Sequence, residues 1–207
     1  MRTIIYIDGF NFYYRAVKNT KYKWLDFKSL FLKLLSSKNQ IIQIKYFTAL
    51  VSGKHNPNKP VKQQTYIRAL QSFIPEIKVY YGHFLSHEVY LPTAEQSNMN
   101  KKVKVVKTEE KGSDVNLAVH LLNDAWLNKY DCAIIVSNDS DLAEAMNLVR
   151  KHHPDKILGL VMPGAGHPSK ELMKYANFVK RIREGVLRNS QLPDPIPGTN
   201  IKKPIDW

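Results

Sequence analysis

The sequence predicts an α/β fold: a doubly wound, mostly parallel central sheet with helices on both faces. Three observations carry that prediction. Short continuous apolar runs, TIIYI at 3–7, CAIIV at 132–136 and ILGLV at 157–161, read as strands buried on both faces. Segments with helical spacing of apolar residues separate them. Strands alternating with helices require crossovers, and crossovers make neighbouring strands parallel.

The elements follow in order. Residues 3–7 form a strand that enters a tight turn at Asp8-Gly9. Residues 26–37 place Leu30, Phe31, Leu34 and Leu35 on one helical face, with Asp26 as N-cap. IIQIKYFTAL at 41–50 is a strand, 53–60 a loop, and 61–74 a helix with Tyr66, Ile67, Leu70, Phe73 and Ile74 inward. Residues 77–85 read as a further strand. The stretch 86–111 is less legible. It holds Lys101, Lys102, Lys104, Lys107 and Lys111, and Val103, Val105 and Val106 indicate a short strand or hairpin arm. A helix over 113–126, a strand over 132–137, a helix over 140–151, a strand over 157–161, a short helix over 169–176 and an edge strand at 178–182 complete the domain. Residues 1–184 are expected to form it, with 185–207 as a Pro- and Asn-rich tail lying on the surface or disordered.

The chain has 207 residues, enough for one core and a tail. Its 31 Lys and Arg against 18 Asp and Glu give a formal net charge of +13, so a polyanion is the expected partner. No stretch approaches the roughly 18 apolar residues of a membrane-spanning helix, and Asp8 interrupts the first apolar run too early for a signal peptide. No membrane partner is expected. Cys132, the only cysteine, has no internal disulfide partner and starts an apolar strand, which predicts a buried thiol and a cytoplasmic protein.

Against that basic background stand Asp8, Asp114, Asp139 and Asp141, each beside an apolar run: IIYIDGFN, KGSDVNLAVHLL and AIIVSNDSDLAEAM. Each aspartate alone is accounted for as a helix cap or turn-former. In a doubly wound sheet, however, ligands bind outside the carboxyl ends of strands at the switch in strand order. If the strands ending at Asp8 and Asp139 are neighbours there, these carboxylates share one crevice. Two carboxylates about 4 Å apart repel by on the order of 4 kcal/mol at an effective dielectric near 20, which favours raised pKa values or a cation between them. Mg²⁺ or Mn²⁺ suits an all-oxygen site beside phosphate. Zinc suits it less, since the adjacent His152 and His153 read as a solvated helix end. Such an ion assists in-line displacement at phosphorus, making phosphodiester hydrolysis the expected chemistry. Asp114 or Asp141 could act through water.

DGFN at 8–11, KGSDVNLA at 111–118 and VSNDSDL at 136–142, in that order, resemble the NYN domain family, relatives of PIN-like and flap-type nucleases and of LabA-like proteins. The resemblance extends over most of 1–183, including SKELMKYANFVKRI. It implies a PIN-like Rossmannoid fold and metal-dependent endoribonuclease activity. It also implies that Asp8, Asp114, Asp139 and Asp141 are the metal-site acids, with Asn11 the polar residue after the first acid and Ser137 supporting the last loop. Three residues depart from the family pattern: Asn138 in place of a common glycine, Leu142 of an aromatic, and Asn177 of an acid.

Lys102, Lys104, Lys107 and Lys111 are candidates for holding the phosphates of single-stranded or structured RNA, against the alternative of a solvated hairpin protected by lysines. DNA is the alternative substrate. Of Phe10, Phe12, Tyr13 and Tyr14, one or two are candidates for base stacking and the rest for packing. Arg181, Arg183 and Arg188 either extend the basic surface or solvate the tail. Exposed β-edges leave a homodimer open. Two other readings compete with a nuclease: a non-catalytic RNA-binding module on the same fold and, less well matched by the motif order, a phosphatase or receiver-like domain.

Overall fold

The computed structural model describes residues 1–53, 56–93, 102–205 and 207. Six strands form one sheet: β1 (Arg2–Asp8), β2 (Gln40–Thr48), β3 (Ile77–Tyr81), β6 (Cys132–Val136), β7 (Ile157–Met162) and β8 (Phe178–Arg181). Their order is β3-β2-β1-β6-β7-β8, and every neighbouring pair is parallel. The chain winds outward from β1 in one direction and from β6 in the other. The switch in strand order therefore falls between β1 and β6, where Ile7 pairs with Val136.

Side-chain alternation along these strands builds two cores. On one face, Ile5 and Ile7 of β1 and Ile134 and Val136 of β6 meet α1 (Gly9–Phe12), α2 (Phe27–Leu34) and α3 (Asn58–Phe73). On the other, Ile4, Tyr6, Ala133 and Ile135 meet α4 (Ser113–Trp126), α5 (Ala143–His152) and Leu172 of α6 (Lys170–Met173). Asp26 caps α2 by accepting from the Ser29 N–H at 3.0 Å, as its position predicts. The Cys132 thiol is fully buried, and burial pushes its pKa up to about 11, so it is an inert packing group.

Four elements differ from the sequence expectation. Asp8-Gly9 is a direct strand-to-helix junction: α1 starts at Gly9 and runs on through a wider turn at Tyr13–Val17. A side chain at Gly9 would lie 2.5 Å from the Phe47 carbonyl oxygen and 2.9 Å from the Tyr46 ring, so the backbone approach itself selects glycine. Gly9→Ala is expected to destabilise the fold by about 1–3 kcal/mol in urea unfolding, the usual cost of overpacking. The expected strand 77–85 divides at Gly82, because the chain leaves the sheet there. Beyond Gly82 the chain forms a hairpin, β4 (His83–Pro92) and β5 (Lys102–Lys111), paired antiparallel over ten residues and separate from the sheet. The helix expected over 140–151 begins as a 3₁₀ turn, Ser140–Leu142, in which the Leu142 N–H reaches back to the Asp139 carbonyl at 3.4 Å while the Asp139 side chain caps the turn. The expected helix at 169–176 shortens to α6, with Ser169 as N-cap.

Residues 185–207 add to the first core. From α7 (Glu184–Arg188) onward, Leu187, Leu192 and Ile196 are buried there. Leu192 donates its N–H to the Trp24 carbonyl at 2.8 Å, and the Trp24 indole donates to the Pro193 carbonyl at 3.1 Å. Pro and Asn abundance conceals the three apolar residues that hold this segment down.

Candidate functional site

Asp8 ends β1 and is 3% exposed. One carboxylate oxygen accepts from the Asn11 N–H at 2.9 Å, capping α1, and the other accepts from the Ser137 hydroxyl at 2.8 Å. Burial pushes the Asp8 carboxyl up; these two hydrogen bonds offset part of the rise, and the charges of Asp139 and Glu110 add to it. Ser137, buried just past β6, uses its oxygen a second time by accepting from the Asp139 N–H at 3.0 Å. Asn11 reaches across in the other direction, its side-chain oxygen accepting from the Asn138 N–H at 3.1 Å. Asn11 and Ser137 thus bolt the first and last acidic loops together.

Asp139 caps the 3₁₀ turn by accepting from the Asp141 N–H at 3.1 Å. Asn138 ties the same loop to the chain after β7: it accepts from the Ser169 N–H at 2.7 Å and donates to the His167 carbonyl at 3.1 Å. A glycine at that position could make neither bond. Leu142 is buried in the second core, and Asn177 accepts from the Leu158 N–H at 2.8 Å.

Asp114 lies in the first turn of α4, which follows Gly112 in the left-handed region at φ 93°. Burial, then the charges of Asp8, Asp139, Glu110 and Asp141, raise its carboxyl to about 7. The folded state therefore binds more protons than the unfolded chain between the ordinary aspartate range and about pH 7, and stability falls as pH rises through that window. In metal-free buffer at about pH 8, Asp114→Asn is expected to melt a few degrees above the wild type, with the gap closing below about pH 4. Scanning calorimetry at both pH values measures it; an unchanged gap would show that Asp114 feels no such repulsion.

Asp8, Asp114 and Asp139 line one open cavity of about 260 Å³ at the switch between β1 and β6. Glu110, Ser113 and Asn11 share its wall, and Phe10, Tyr14 and Arg15 close the side formed by α1 and the turn after it. The cap and crevice readings of Asp8 and Asp139 are therefore both satisfied by the same side chains. Asp141 differs: it is exposed and outside the cavity wall, reaching the site through its charge on Asp114. The donors in the cavity are all oxygen, which suits a hard divalent cation. Among the described residues no three His, Cys, Asp or Glu side chains stand close enough to hold an ion alone. An ion here would complete its shell with water and substrate phosphate, the habit of Mg²⁺.

A family model described as the NYN domain matches residues 2–182. The chain belongs to the NYN domain family. NYN domains share a nuclease-like fold with PIN-like proteins, and nucleases of this kind typically use divalent metals. Over its whole length this NYN chain is 34% identical to the 6-hydroxy-3-succinoylpyridine 3-monooxygenase HspA of Pseudomonas putida, covering 75% of that protein. It also superposes on the crystal structure of a protein of unknown function from Vibrio parahaemolyticus. The TM-score is 0.54, with 88% of this chain and 93% of that one covered at 15% identity, a likeness of fold alone.

Three residues of this NYN cavity escape sequence reasoning: Glu110, Ser113 and Arg15. Glu110 stands in EEKGSD, directly before the second acidic motif, and Arg15 lies about one helical turn beyond Asn11. Glu110 accepts from the Ser113 N–H at 3.1 Å and from its hydroxyl at 2.8 Å, so the acid at the end of β5 grips the start of α4. The lysines are placed differently from the acids. Lys104 pairs with Glu88, and Lys107 and Lys111 both pair with Glu109, at 2.6 and 3.3 Å. Lys102 lies opposite Pro92. None of these four lines the cavity, and Lys101 lies outside the described residues. Phe12 is buried, Phe10 meets Phe84 edge-on at 5.6 Å between ring centres, and Tyr13 and Tyr14 are exposed. His152 and His153 contact the Trp126 ring.

Proposed function

We propose that this NYN domain is a metal-dependent endoribonuclease that hydrolyses RNA phosphodiesters in the crevice between β1 and β6. The observation that carries the reading is the convergence of Asp8, Asp114 and Asp139, from three separate segments, on one open cavity in a chain of net charge +13. Asp8 and Asp139 would hold Mg²⁺ or Mn²⁺, with Asp114 completing the set and Asp141 contributing through water. When bound, such an ion neutralises charge at phosphorus and activates water. Asn11 and Ser137 are positioning residues that fix Asp8 and Asp139 relative to each other. Arg15 offers a guanidinium to a phosphate oxygen, and Tyr14 a ring face to a base. A cytosolic setting accompanies this reading, supported by the lone buried thiol of Cys132; among the described residues, no helix is long and apolar enough to cross a membrane.

The test is cleavage of single-stranded and structured RNA by purified protein with Mg²⁺, with Mn²⁺ and with EDTA, beside DNA of the same sequences. Internal cuts in RNA that EDTA abolishes are expected. Binding without cutting under all conditions would replace the proposal with an RNA-binding module, and cutting of DNA alone would reassign the substrate. A second reading has its own support, the 34% identity over the whole chain to an enzyme named as a monooxygenase of a substituted pyridine. Oxygen uptake with 6-hydroxy-3-succinoylpyridine and a two-electron reductant, in the absence of RNA cleavage, would favour it.

A further inference from the structure

The β4–β5 hairpin stands apart from the sheet with nearly all of its length exposed. A two-stranded ribbon with both faces in water is marginal on its own, so a ten-residue ladder of this kind is best accounted for by something that lies along it. Its register divides its residues between two faces. One face carries the directly opposed pairs Phe84–Glu110, Ser86–Thr108, Glu88–Val106, Tyr90–Lys104 and Pro92–Lys102. The other carries His83–Lys111, Leu85–Glu109, His87–Lys107, Val89–Val105 and Leu91–Val103. Only the first begins at the cavity: Glu110 is part of the cavity wall, and Phe84 packs on Phe10, another wall residue. From Glu110 that face runs outward past the Ser86 and Thr108 hydroxyls and Val106 to Tyr90, a residue 65% exposed, to Lys104, which pairs with Glu88 on the same face until a phosphate takes its place, and to Lys102. At about 3.4 Å per residue, Lys104 lies ~20 Å along the ribbon from Glu110.

We propose that this face of the hairpin is a guide arm for single-stranded RNA. Tyr90 stacks on a base, Lys102 and Lys104 take phosphates, and the strand runs down to the cavity at Glu110. The proposal rests on the nuclease reading and deepens it: the substrate is an extended single strand reaching well beyond the scissile bond. It also divides the four lysines of the hairpin, since Lys107 and Lys111 face away from this track. The step from charge to ligand is the usual one, with aromatic stacking and phosphate contacts combining along a strand.

The experiment measures fluorescence-anisotropy binding of a labelled single-stranded RNA of about twenty nucleotides in EDTA. Tyr90→Ala/Lys102→Ala/Lys104→Ala is compared with Lys107→Ala/Lys111→Ala; both remove two positive charges. The first is expected to weaken binding by at least about tenfold and to reduce the slope of log affinity against log salt by about 1.4, two phosphate contacts' worth. The second is expected to weaken it by less than about twofold. Equal losses would reduce the hairpin to a diffuse charge and overturn the proposal, as would no loss in the first variant. Binding in EDTA does not depend on cutting, so failure of the nuclease reading would show separately, as absence of cleavage by the wild type with Mg²⁺ and Mn²⁺.

Discussion

Asp139→Asn is expected to lower metal-dependent RNA cleavage at least about a hundredfold, some 2.7 kcal/mol of transition-state stabilisation, with little change in melting temperature. The substitution keeps the cap, because an amide oxygen can still accept from the Asp141 N–H, but removes the charge from the cavity wall. Asp8→Asn is expected to do at least as much damage. Ser137 donates its only hydroxyl proton to Asp8 while accepting from the Asp139 N–H, so an amide nitrogen turned toward that oxygen would break the relay. Asp141→Asn is expected to cost less than about fivefold, because this side chain is exposed and outside the wall. Initial rates on a fluorescent RNA with Mn²⁺, beside thermal melts of each variant, separate chemistry from folding. More than a tenth of wild-type activity in Asp139→Asn would sink the assignment of that residue.

A second large effect concerns stability away from the cavity. Lys45 of β2 and Asp124 of α4 form a buried ion pair beneath the second core. The Tyr6 hydroxyl donates to the same Asp124 oxygen at 2.8 Å, and Lys129 approaches the other at 3.3 Å, an ion-pair contact without hydrogen-bond geometry. Burial pushes the Asp124 carboxyl up, but the hydrogen bonds from Lys45 and Tyr6 outweigh it and hold the group below its usual range. The His120 ring nitrogen Nδ1 lies 3.2 Å from the Lys45 amine, and burial, then that cation, lower the pKa of the ring. Lys45→Met leaves a buried carboxylate short of its main partner and is expected to cost about 3–5 kcal/mol in urea unfolding. Adding Asp124→Leu removes the stranded charge and is expected to recover a large part of the loss. A cost below about 1 kcal/mol for the single change would mean that Tyr6 and Lys129 suffice to satisfy Asp124.

The legibility of this protein in its sequence differs by region, for physical reasons. TIIYI, CAIIV and ILGLV read as strands buried on both faces because they are short, largely β-branched apolar runs between polar turns, too short for a buried helix. Their neighbouring placement lets Asp8 and Asp139 be assigned to one crevice, and β1 does adjoin β6. The hairpin is harder. Its strands are exposed on both faces, so no burial stamps an alternating pattern on them, and Gly82 is needed to show where the sheet ends. Glu110 is hidden for a related reason: an acid in a Lys- and Glu-rich stretch looks solvated until the pairing register turns it inward. The residues after 185 mislead by composition, since Leu187, Leu192 and Ile196 do their packing singly, with no period to detect. The two bonds of Asn138 lie equally beyond sequence reading, because their partners are some thirty residues away.

The root of the hairpin has a consequence of another kind. A side chain at Gly82 would collide with Glu110 and come within 2.5 Å of the Lys111 carbonyl, so the outgoing and returning legs meet at one point between β3 and α4. The six parallel strands are threaded without the hairpin, and their order would be the same if it were shorter, longer or of different sequence. In modular terms the protein is a chassis with an exchangeable head, where one residue of the head, Glu110, completes the chamber below. On the guide-arm proposal, replacing the ribbon while retaining that glutamate would re-address the cavity to a new strand without redesigning it.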